Sequence, residues 1–393
     1  MKILLVNDYA EPIGGAEVMT LALRDELRRR GHDARLFAST AQSTSAPRVA
    51  DYLCFGTTSR FRTLLQTANP WAFWQLRRVL REFRPDVVHV KMFLTQLSPL
   101  ILPLLKDVPA LYHVVWYRPV CPTGTKMLPN KSPCRVRAGA ACYQNECLPM
   151  RDFIPLMLQM RMWRRWRKVF RRIIANSAAT KEQLTAGGIE GVEVVWNGVP
   201  AASLRAPLSS TPTIVFAGRL VPEKGVDALV RAFARVVPRI PGARLLLAGD
   251  GPERERIQEL IDELKLSTHV ALLGHLPAAE MERHFAAAWV QAVPSRWAEP
   301  FGLSAVEAMM RGTAVVASAS GGLSEIVRDG ETGFLVQPDD VDALASALLK
   351  ILGDRDMAER MGMNGREVAL THFSQATFVN NLLRLYEEIL SAV

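Results

Sequence analysis

Apolar residues recur along this chain in short continuous runs, separated by longer stretches with one apolar stripe. KILLVN is followed by GGAEVMTLALRDELRRRGH and then DARLF, which predicts strand, glycine turn, helix and strand. The helix is expected to gather Val18, Leu21, Ala22, Leu23 and Leu27 near one stripe and to end at Gly31. PDVVHV, ALYHVVW, RRIIANS and VEVVWNGV read as further strands of the kind buried on both faces. VPAASLRAPLSSTPT, rich in Ser, Pro and Ala, reads as a linker.

The alternation then restarts with TIVFAGRL, GVDALVRAFARVV, ARLLLAGDG and ERERIQELIDELKL. It continues through VALLGHL, AEMERHFAAA, WVQAVPS, GLSAVEAMMRG, TAVVASAS and GFLVQP. Strands alternating with helices imply parallel, doubly wound sheets. The expected organisation is an α/β first domain over residues 1–204, a second over 210–373, and an amphipathic helix at 374–393. Two such halves are expected to leave a cleft, with ligands at the carboxyl ends of the strands.

The chain has 393 residues, 49% hydrophobic and 22% charged, which suits a globular class with two cores. Its longest apolar candidate, LSPLILPLL, is too short for a bilayer span and is broken by Pro99 and Pro103. MKILLVNDYA reads as a first strand rather than a signal peptide, so a cytoplasmic protein is expected. The net charge of +9 is unevenly placed, with +14 in residues 1–200 and −5 in the remainder. The first half is therefore the one expected to favour anionic surfaces.

Four of the five cysteines, Cys121, Cys134, Cys142 and Cys147, crowd into one stretch. Their spacings are not the paired C-x2-C of common zinc knuckles, so a structural metal and a loop of unrelated thiols both remain open.

Three stretches carry candidate chemistry. FAGRLVPEKG follows a strand and places Arg219 and Lys224 across a turn, a pattern suited to clamping a diphosphate. It lacks the G-x-x-x-x-G-K-[ST] of a Walker A loop. Gly14 and Gly15 open the first helix, where backbone N–H groups can approach an anion. PSRWAEPFGLSAVEAMMRG holds Glu299 and Glu307. Pro300 disfavours helical geometry at Glu299, so Glu299 belongs to a loop while Glu307 lies inside the following helix. No His, Cys or Asp joins them, which argues against a metal pair; acceptors for sugar hydroxyls fit better than an acid/base pair.

These stretches, with GGLSEIVRDGETGFLV downstream and GGAE, RPDVVHV and VVWNGV upstream, resemble the retaining nucleotide-sugar glycosyltransferases of family 4, which have the GT-B fold. The resemblance covers nearly the whole chain. It implies two Rossmann-like domains facing a central cleft, with the C-terminal helix crossing back to the first. It implies that Arg219 and Lys224 hold the donor diphosphate and that Glu299, with Pro300, Phe301, Gly302 and Leu303, meets the donor sugar. Glu307 would accept from the ribose, Gly14 and Gly15 would approach the diphosphate, and His113 matches an active-site histidine, although Val114 stands where the family often has Asp. No metal or other cofactor is implied; the substrate is a UDP- or GDP-linked sugar and the acceptor a glycan or lipid-linked hydroxyl. The cysteine stretch resembles a loop in a subset of the family.

Arg151–Arg172, RDFIPLMLQMRMWRRWRKVFRR, mixes cations with Trp, Met, Leu and Phe and is expected to lie on an anionic membrane surface, at the inner face of the plasma membrane. No nucleic-acid motif is present. The competing reading is a catalytically silent nucleotide-sugar-binding or membrane scaffold. A dinucleotide oxidoreductase is disfavoured, because NDYAEPIGGAE lacks G-x-G-x-x-G.

Overall fold

A computed structural model describes residues 1–11, 14–41 and 49–391. The chain divides into two compact units, Met1–Trp196 with Gln375–Val393, and Asn197–Ser374.

The first unit holds seven strands: β1 (Lys2–Tyr9), β2 (Asp33–Ser39), β3 (Tyr52–Cys54), β4 (Val87–Val90), β5 (Ala110–Val114), β6 (Arg172–Ala175) and β7 (Val192–Val194). They form one sheet of order β3-β2-β1-β4-β5-β6-β7, with every pair parallel. Its helices are α1 (Gly15–Arg29), α2 (Arg62–Thr67), α3 (Pro70–Phe83), α4 (Ala141–Gln144), α5 (Met150–Trp166) and α6 (Ala178–Ala186). Helix starts follow local chemistry. Asn69 accepts from the Ala72 N–H at 3.0 Å with Pro70 as the first helical residue, and Ser177 accepts from Thr180 at 2.9 Å.

The second unit holds β8 (Thr213–Ala217), β9 (Arg244–Ala248), β10 (Val270–Gly274), β11 (Val290–Val293), β12 (Ala314–Ser318) and β13 (Gly333–Val336) in the order β10-β9-β8-β11-β12-β13. Around them lie α7 (Val226–Val236), α8 (Arg254–Glu263), α9 (Ala278–Phe285), α10 (Leu303–Arg311), α11 (Leu323–Ile326), α12 (Val341–Leu352) and α13 (Arg355–His372). The chain leaves β8 towards one edge and returns on the other side at β11. The carboxyl ends of β8 and β11 are thus the topological switch point of this sheet, where α/β proteins bind ligands.

The last helix, α14 (Gln375–Ser391), belongs to the first unit. It buries Phe378, Val379, Leu382, Leu385, Tyr386 and Ile389, an i, i+4, i+7 face. Residues 197–212 lie along the second unit: the Val199 N–H donates to Phe373 O at 2.8 Å and the Arg205 N–H to Arg311 O at 2.8 Å. That is why the division falls at Trp196/Asn197, ahead of the Ser/Pro-rich stretch.

Two expectations need correction. In α1 the stripe turned to the core is Met19, Leu23 and Leu27, while Val18 is half exposed, because an i, i+4 row faces the sheet and Val18 falls off it. Arg151–Arg172 is not one interfacial helix. After α5 come a short 3-10 turn, Phe170 and β6, and pairing of β6 with β5 draws the aromatics inward. Trp163 and Phe170 are buried among Phe93 and Tyr112, and the Trp163 indole N–H donates to Pro119 O at 3.0 Å. Among the described residues, no helix is long and apolar enough to cross a membrane.

Candidate active site

Two loops meet at the switch point of the second sheet. FAGRLVPEKG runs from the end of β8, forms a 3-10 turn over Pro222–Lys224, and enters α7 through Gly225. Gly225 has φ +65°, and a Cβ there would lie 2.1 Å from Pro294 O. Glycine is needed because the turn presses directly on the backbone of the second loop, PSRWAEPFG, which follows β11. The Arg296 N–H donates to Glu223 O at 2.9 Å. The Arg296 guanidinium reaches Asp227 at 2.6 and 2.9 Å, Pro222 O at 3.0 Å and Asp339 at 2.5 Å. This fork ties the two loops together. Burial opposes its charge, but Asp227 and then Asp339 outweigh burial and hold Arg296 ionised.

The joint places Lys224 against Glu299. The Lys224 ammonium donates to Glu299 Oε1 and lies 5.5 Å from the centroid of the Trp297 ring. Ser295 Oγ donates to the same carboxylate oxygen at 2.7 Å. Glu299 is 5% exposed. Burial alone would raise its pKa, but Lys224, through charge and a hydrogen bond, and then Ser295 and Trp297, overcome this and hold it below the usual carboxylate range. The backbone of Glu299 pairs with Gly321, and Gly322 N–H donates to Glu299 O at 2.8 Å. Pro300, Phe301 and Gly302 then lead into α10 at Leu303, with Phe301 buried beneath the turn.

A folded-state pKa below the unfolded one stabilises the protein above the unfolded value and is lost as pH falls through the folded value. Glu299→Gln is therefore expected to cost stability at pH 7, with the gap to wild type closing as pH drops below about 4.5. Urea melts of both proteins at a series of pH values check this; a gap that stays constant would mean that the ion pair is not its source.

Glu307, on α10, is half-buried and makes no hydrogen bond or ion pair among the described residues. Burial raises its pKa, Arg311 opposes this, and Glu282 adds to it. Arg311 itself holds Glu282 at 3.0 Å and Gln291 at 2.5 Å. Arg219 differs from Lys224 in its setting. Its side chain is 70% exposed, and its ion pair to Glu223 is long at 3.7 Å.

In the first unit, Gly14 is the N-cap of α1 and Gly15 its first residue. A Cβ on Gly14 would lie 2.7 Å from Glu17 Oε2, so the Glu17 carboxylate curls back over the helix start. His113, on β5, is fully buried, its ring 5.5 Å from that of His89 and 5.8 Å from that of Phe378. Neither ring nitrogen has a hydrogen-bond partner among the described residues. Burial, then Lys91, then His89 push its pKa well below normal, so His113 is neutral.

Lys91 follows β4, is fully buried, and its ammonium has no hydrogen-bond partner among the described residues. Burial pushes its pKa down to about 8, against the pull of Glu17. For a lysine lowered this way, the cost of charging it in the fold is complete below pH 8 and is relieved as pH climbs towards 10.5. Lys91→Met is expected to melt higher than wild type at pH 7, by on the order of 2 kcal/mol, with the difference shrinking towards pH 10.5. Equal melting across this range would show that burial does not lower the pKa of Lys91 in the fold.

Cys121, Cys134, Cys142 and Cys147 are free thiols. Cys121 lies 3.1 Å from Thr123 Oγ1, while Cys134 and Cys147 turn to carbonyls in their own loop. Among the described residues, no group of three or more His, Cys, Asp or Glu is placed to hold a metal.

Sequence reasoning found Lys224 and Glu299 but not their mutual contact, nor Ser295, Arg296 and Asp227, which position them. The signal for Arg296 was its place inside PSRWAEP; nothing local marks Asp227 as its partner. Glu17 and Lys91 were also missed, although both flank motifs that had been singled out.

A parallel-sheet unit of this kind, with clustered loops at its switch point, is an α/β fold with a ligand site expected there, and comparison makes the class specific. Residues 205–368 match the family described as glycosyl transferases group 1, and residues 13–203 match Glycosyltransferase Family 4. Together the two matches span most of the chain, which carries these two glycosyltransferase domains as two Rossmann-like domains built in the GT-B manner.

It is 38% identical over 179 residues, 44% of this chain and 47% of the relative, to a GDP-mannose-dependent alpha-(1-6)-phosphatidylinositol monomannoside mannosyltransferase of Mycolicibacterium smegmatis. It is 37% identical over 244 residues, 56% of this chain and 53% of the relative, to a D-inositol 3-phosphate glycosyltransferase of Nocardia farcinica. The chain thus spans about half the length of these relatives, and 20% of a Streptomyces coelicolor exopolysaccharide phosphotransferase. In fold it is similar to sucrose-phosphate synthase from Thermosynechococcus elongatus, with a TM-score of 0.76 and 23% identity over 100% of both chains. Anabaena HepE in complex with UDP-glucose gives a TM-score of 0.71 with 22% identity, again over 100% of both.

Proposed function

We propose that this protein is a retaining glycosyltransferase that moves a sugar from a nucleoside-diphosphate sugar to a hydroxyl of a glycan or lipid-linked acceptor, in cell-surface polysaccharide or glycolipid synthesis. The observation that carries the reading is the Lys224–Glu299 pair, held by two interlocked loops at the switch point of the second sheet. The names of the relatives support the substrate class: one is dependent on GDP-mannose, and a fold neighbour was solved with UDP-glucose.

In this reading Lys224 and Arg219 hold the donor diphosphate, and their charge stabilises the leaving group as it departs. Lys224 reaches the phosphate from the Glu299 side, while the exposed Arg219 is free to swing onto it. Glu299, kept ionised, accepts from sugar hydroxyls, and the uncommitted Glu307 carboxylate accepts from the ribose. Gly14 and Gly15 offer backbone N–H groups to the diphosphate, and neutral His113 is able both to donate and to accept once uncovered. The acceptor hydroxyl attacks C1 on the face from which the diphosphate leaves. A bond forms to C1, the bond to the phosphate oxygen breaks, and that oxygen takes the hydroxyl proton. Two lysine and arginine cations supply the charge that a metal supplies elsewhere, so no metal is needed. A lipid-linked acceptor would bring the protein to the inner face of the plasma membrane as a peripheral protein.

The test is calorimetry with UDP, GDP, ADP and their common sugar conjugates, followed by transfer from the tightest donor into glycan and lipid extracts. The expected result is micromolar binding of one nucleotide, transfer insensitive to EDTA, and a product with the anomeric configuration of the donor. Binding without transfer to any acceptor would instead favour a silent nucleotide-sugar-binding scaffold. An inverted product or EDTA-sensitive transfer would overturn the mechanism.

A further inference from the structure

Exposed large apolar side chains cluster in one region of the first unit. Phe61 and Leu64 on and before α2, Trp71 and Trp74 on α3, and Ile154 and Leu158 on α5 are all at least half exposed. The three helices are neighbours. Thr63 and Thr67 of α2 hydrogen-bond to Asp152 and to Pro155 O of α5, at 2.7 and 3.1 Å. Both α3 and α5 pack on the 3-10 segment Pro99–Leu105. The Trp71 ring also meets that of Phe55 at 5.2 Å, edge-on.

The pattern on each helix is amphipathic on its outward side, which is unusual for a face turned to water. On α3 the outward row is Trp71, Trp74, Arg78 and Arg81, at spacings of three, four and three. On α5 it is Arg151, Ile154, Leu158, Arg161 and Arg165. Arginines therefore flank the apolar side chains, and some lie against them: Arg60 stands 5.1 Å over the Phe61 ring and Arg77 5.5 Å over the Trp74 ring. Two carboxylates on this face, Glu82 and Asp152, are engaged by Arg78 and Arg151, at 2.6 and 3.4 Å.

Leaving this much aromatic and aliphatic surface in water is costly unless something covers it. Its occupant is marked by the chemistry. Tryptophan and leucine side chains exposed on these helices and flanked by arginine match the gradient from acyl chain to phosphate at a bilayer surface. Charge complementarity selects an anionic one, since residues 1–200 carry +14.

We propose that the outward faces of α2, α3 and α5 form one docking surface for an anionic lipid bilayer, with Trp71, Trp74, Ile154 and Leu158 entering the headgroup boundary and Arg78, Arg81, Arg161 and Arg165 meeting lipid phosphates. The membrane contact is thus a surface assembled from three helices, and the aromatic core residues of the 151–172 segment take no part in it. Its purpose rests on the reading that the acceptor is lipid-linked, but its test is made with neither donor nor acceptor, so the two can fail separately.

The experiment is sedimentation of the full chain with phosphatidylcholine vesicles and with phosphatidylcholine–phosphatidylglycerol vesicles, at low and high salt. Wild type is expected to pellet with the anionic vesicles and to be released by salt. W71S/W74S is expected to lose roughly tenfold or more in partitioning. R161E/R165E is expected to lose the preference for anionic lipid, and R283E/R328E, on the second unit, to behave as wild type. Melting temperatures and nucleotide binding report on folding, and the arginine pair carries the test if the tryptophan pair misfolds. The proposal is overturned if wild type stays in the supernatant with both vesicles, if it binds both equally, or if both surface variants bind as wild type does; self-association without vesicle binding would mean that a second copy covers this face.

Discussion

Lys224→Met is expected to reduce transfer by about two to three orders of magnitude, the range seen when one preorganised charge is removed from a leaving-group site. The substitution should also weaken nucleotide-sugar binding, read by calorimetry. It carries a second, separable effect. Glu299 is 5% exposed and depends on Lys224 for its charge, so losing the ammonium leaves a buried carboxylate without its counter-ion. A loss of about 2 kcal/mol in the second unit is expected, because Lys224 is itself partly screened, with a side chain 20% exposed. The double variant Lys224→Met/Glu299→Gln separates the two effects: the buried charge is gone, so stability should largely return while transfer stays lost. If transfer survived Lys224→Met, the diphosphate would have to be held elsewhere, and the assignment of this loop would fail.

Gly321→Ala is expected to be the most damaging small substitution near the site. Gly321 has φ +61°, and an added Cβ would lie 2.3 Å from Glu299 O and 2.5 Å from Glu299 N. These are backbone atoms and cannot rotate away. The EPFG loop must therefore shift, and with it the Glu299 carboxylate and the start of α10. A cost of roughly 2–4 kcal/mol is expected, a melting temperature lower by several degrees, and transfer reduced at least tenfold even where the protein remains folded. Gly330→Ala is the matched control. It has a positive φ, +76°, but nothing within 4 Å of its Cβ position. It should show the conformational penalty alone, on the order of 1 kcal/mol, with transfer intact. Equal effects at both positions would mean that Gly321 matters for its dihedral and not for its contact with Glu299.

Much of the architecture was readable along the chain, because a parallel strand buried on both faces is a continuous apolar run and its crossover helix a striped one. KILLVN, TIVFAGRL and TAVVASAS needed no context to be recognised as strands. The start of α3 was likewise local, since Asn69 and Pro70 cap it within a few residues. Failures came where burial was set from a distance. Trp163 and Phe170 look in sequence like membrane anchors among arginines; the pairing of β6 with β5 turns them into the core, while the plainer Ile154 and Leu158 are left outside. Val18 fits a helical stripe on paper, but the sheet lies on the side of Met19, Leu23 and Leu27.

The candidate site divides the same way. Its backbone conformations were determined by the sequence alone: Pro300 excludes Glu299 from the helix, and the glycines at 225, 302 and 321 permit turns that other residues resist. Which side chains then meet was decided by tertiary structure. Lys224 and Glu299 are 75 positions apart, and Arg296 and Asp227 are 69 apart. They come together because β11 returns to lie beside β8, which sets the loops after these two central strands side by side at the carboxyl end of the sheet. The physical reason is range: dihedral preference and hydrophobic period act within a few residues, whereas a buried ion pair exists only after the sheet has brought its two halves together and removed the water between them.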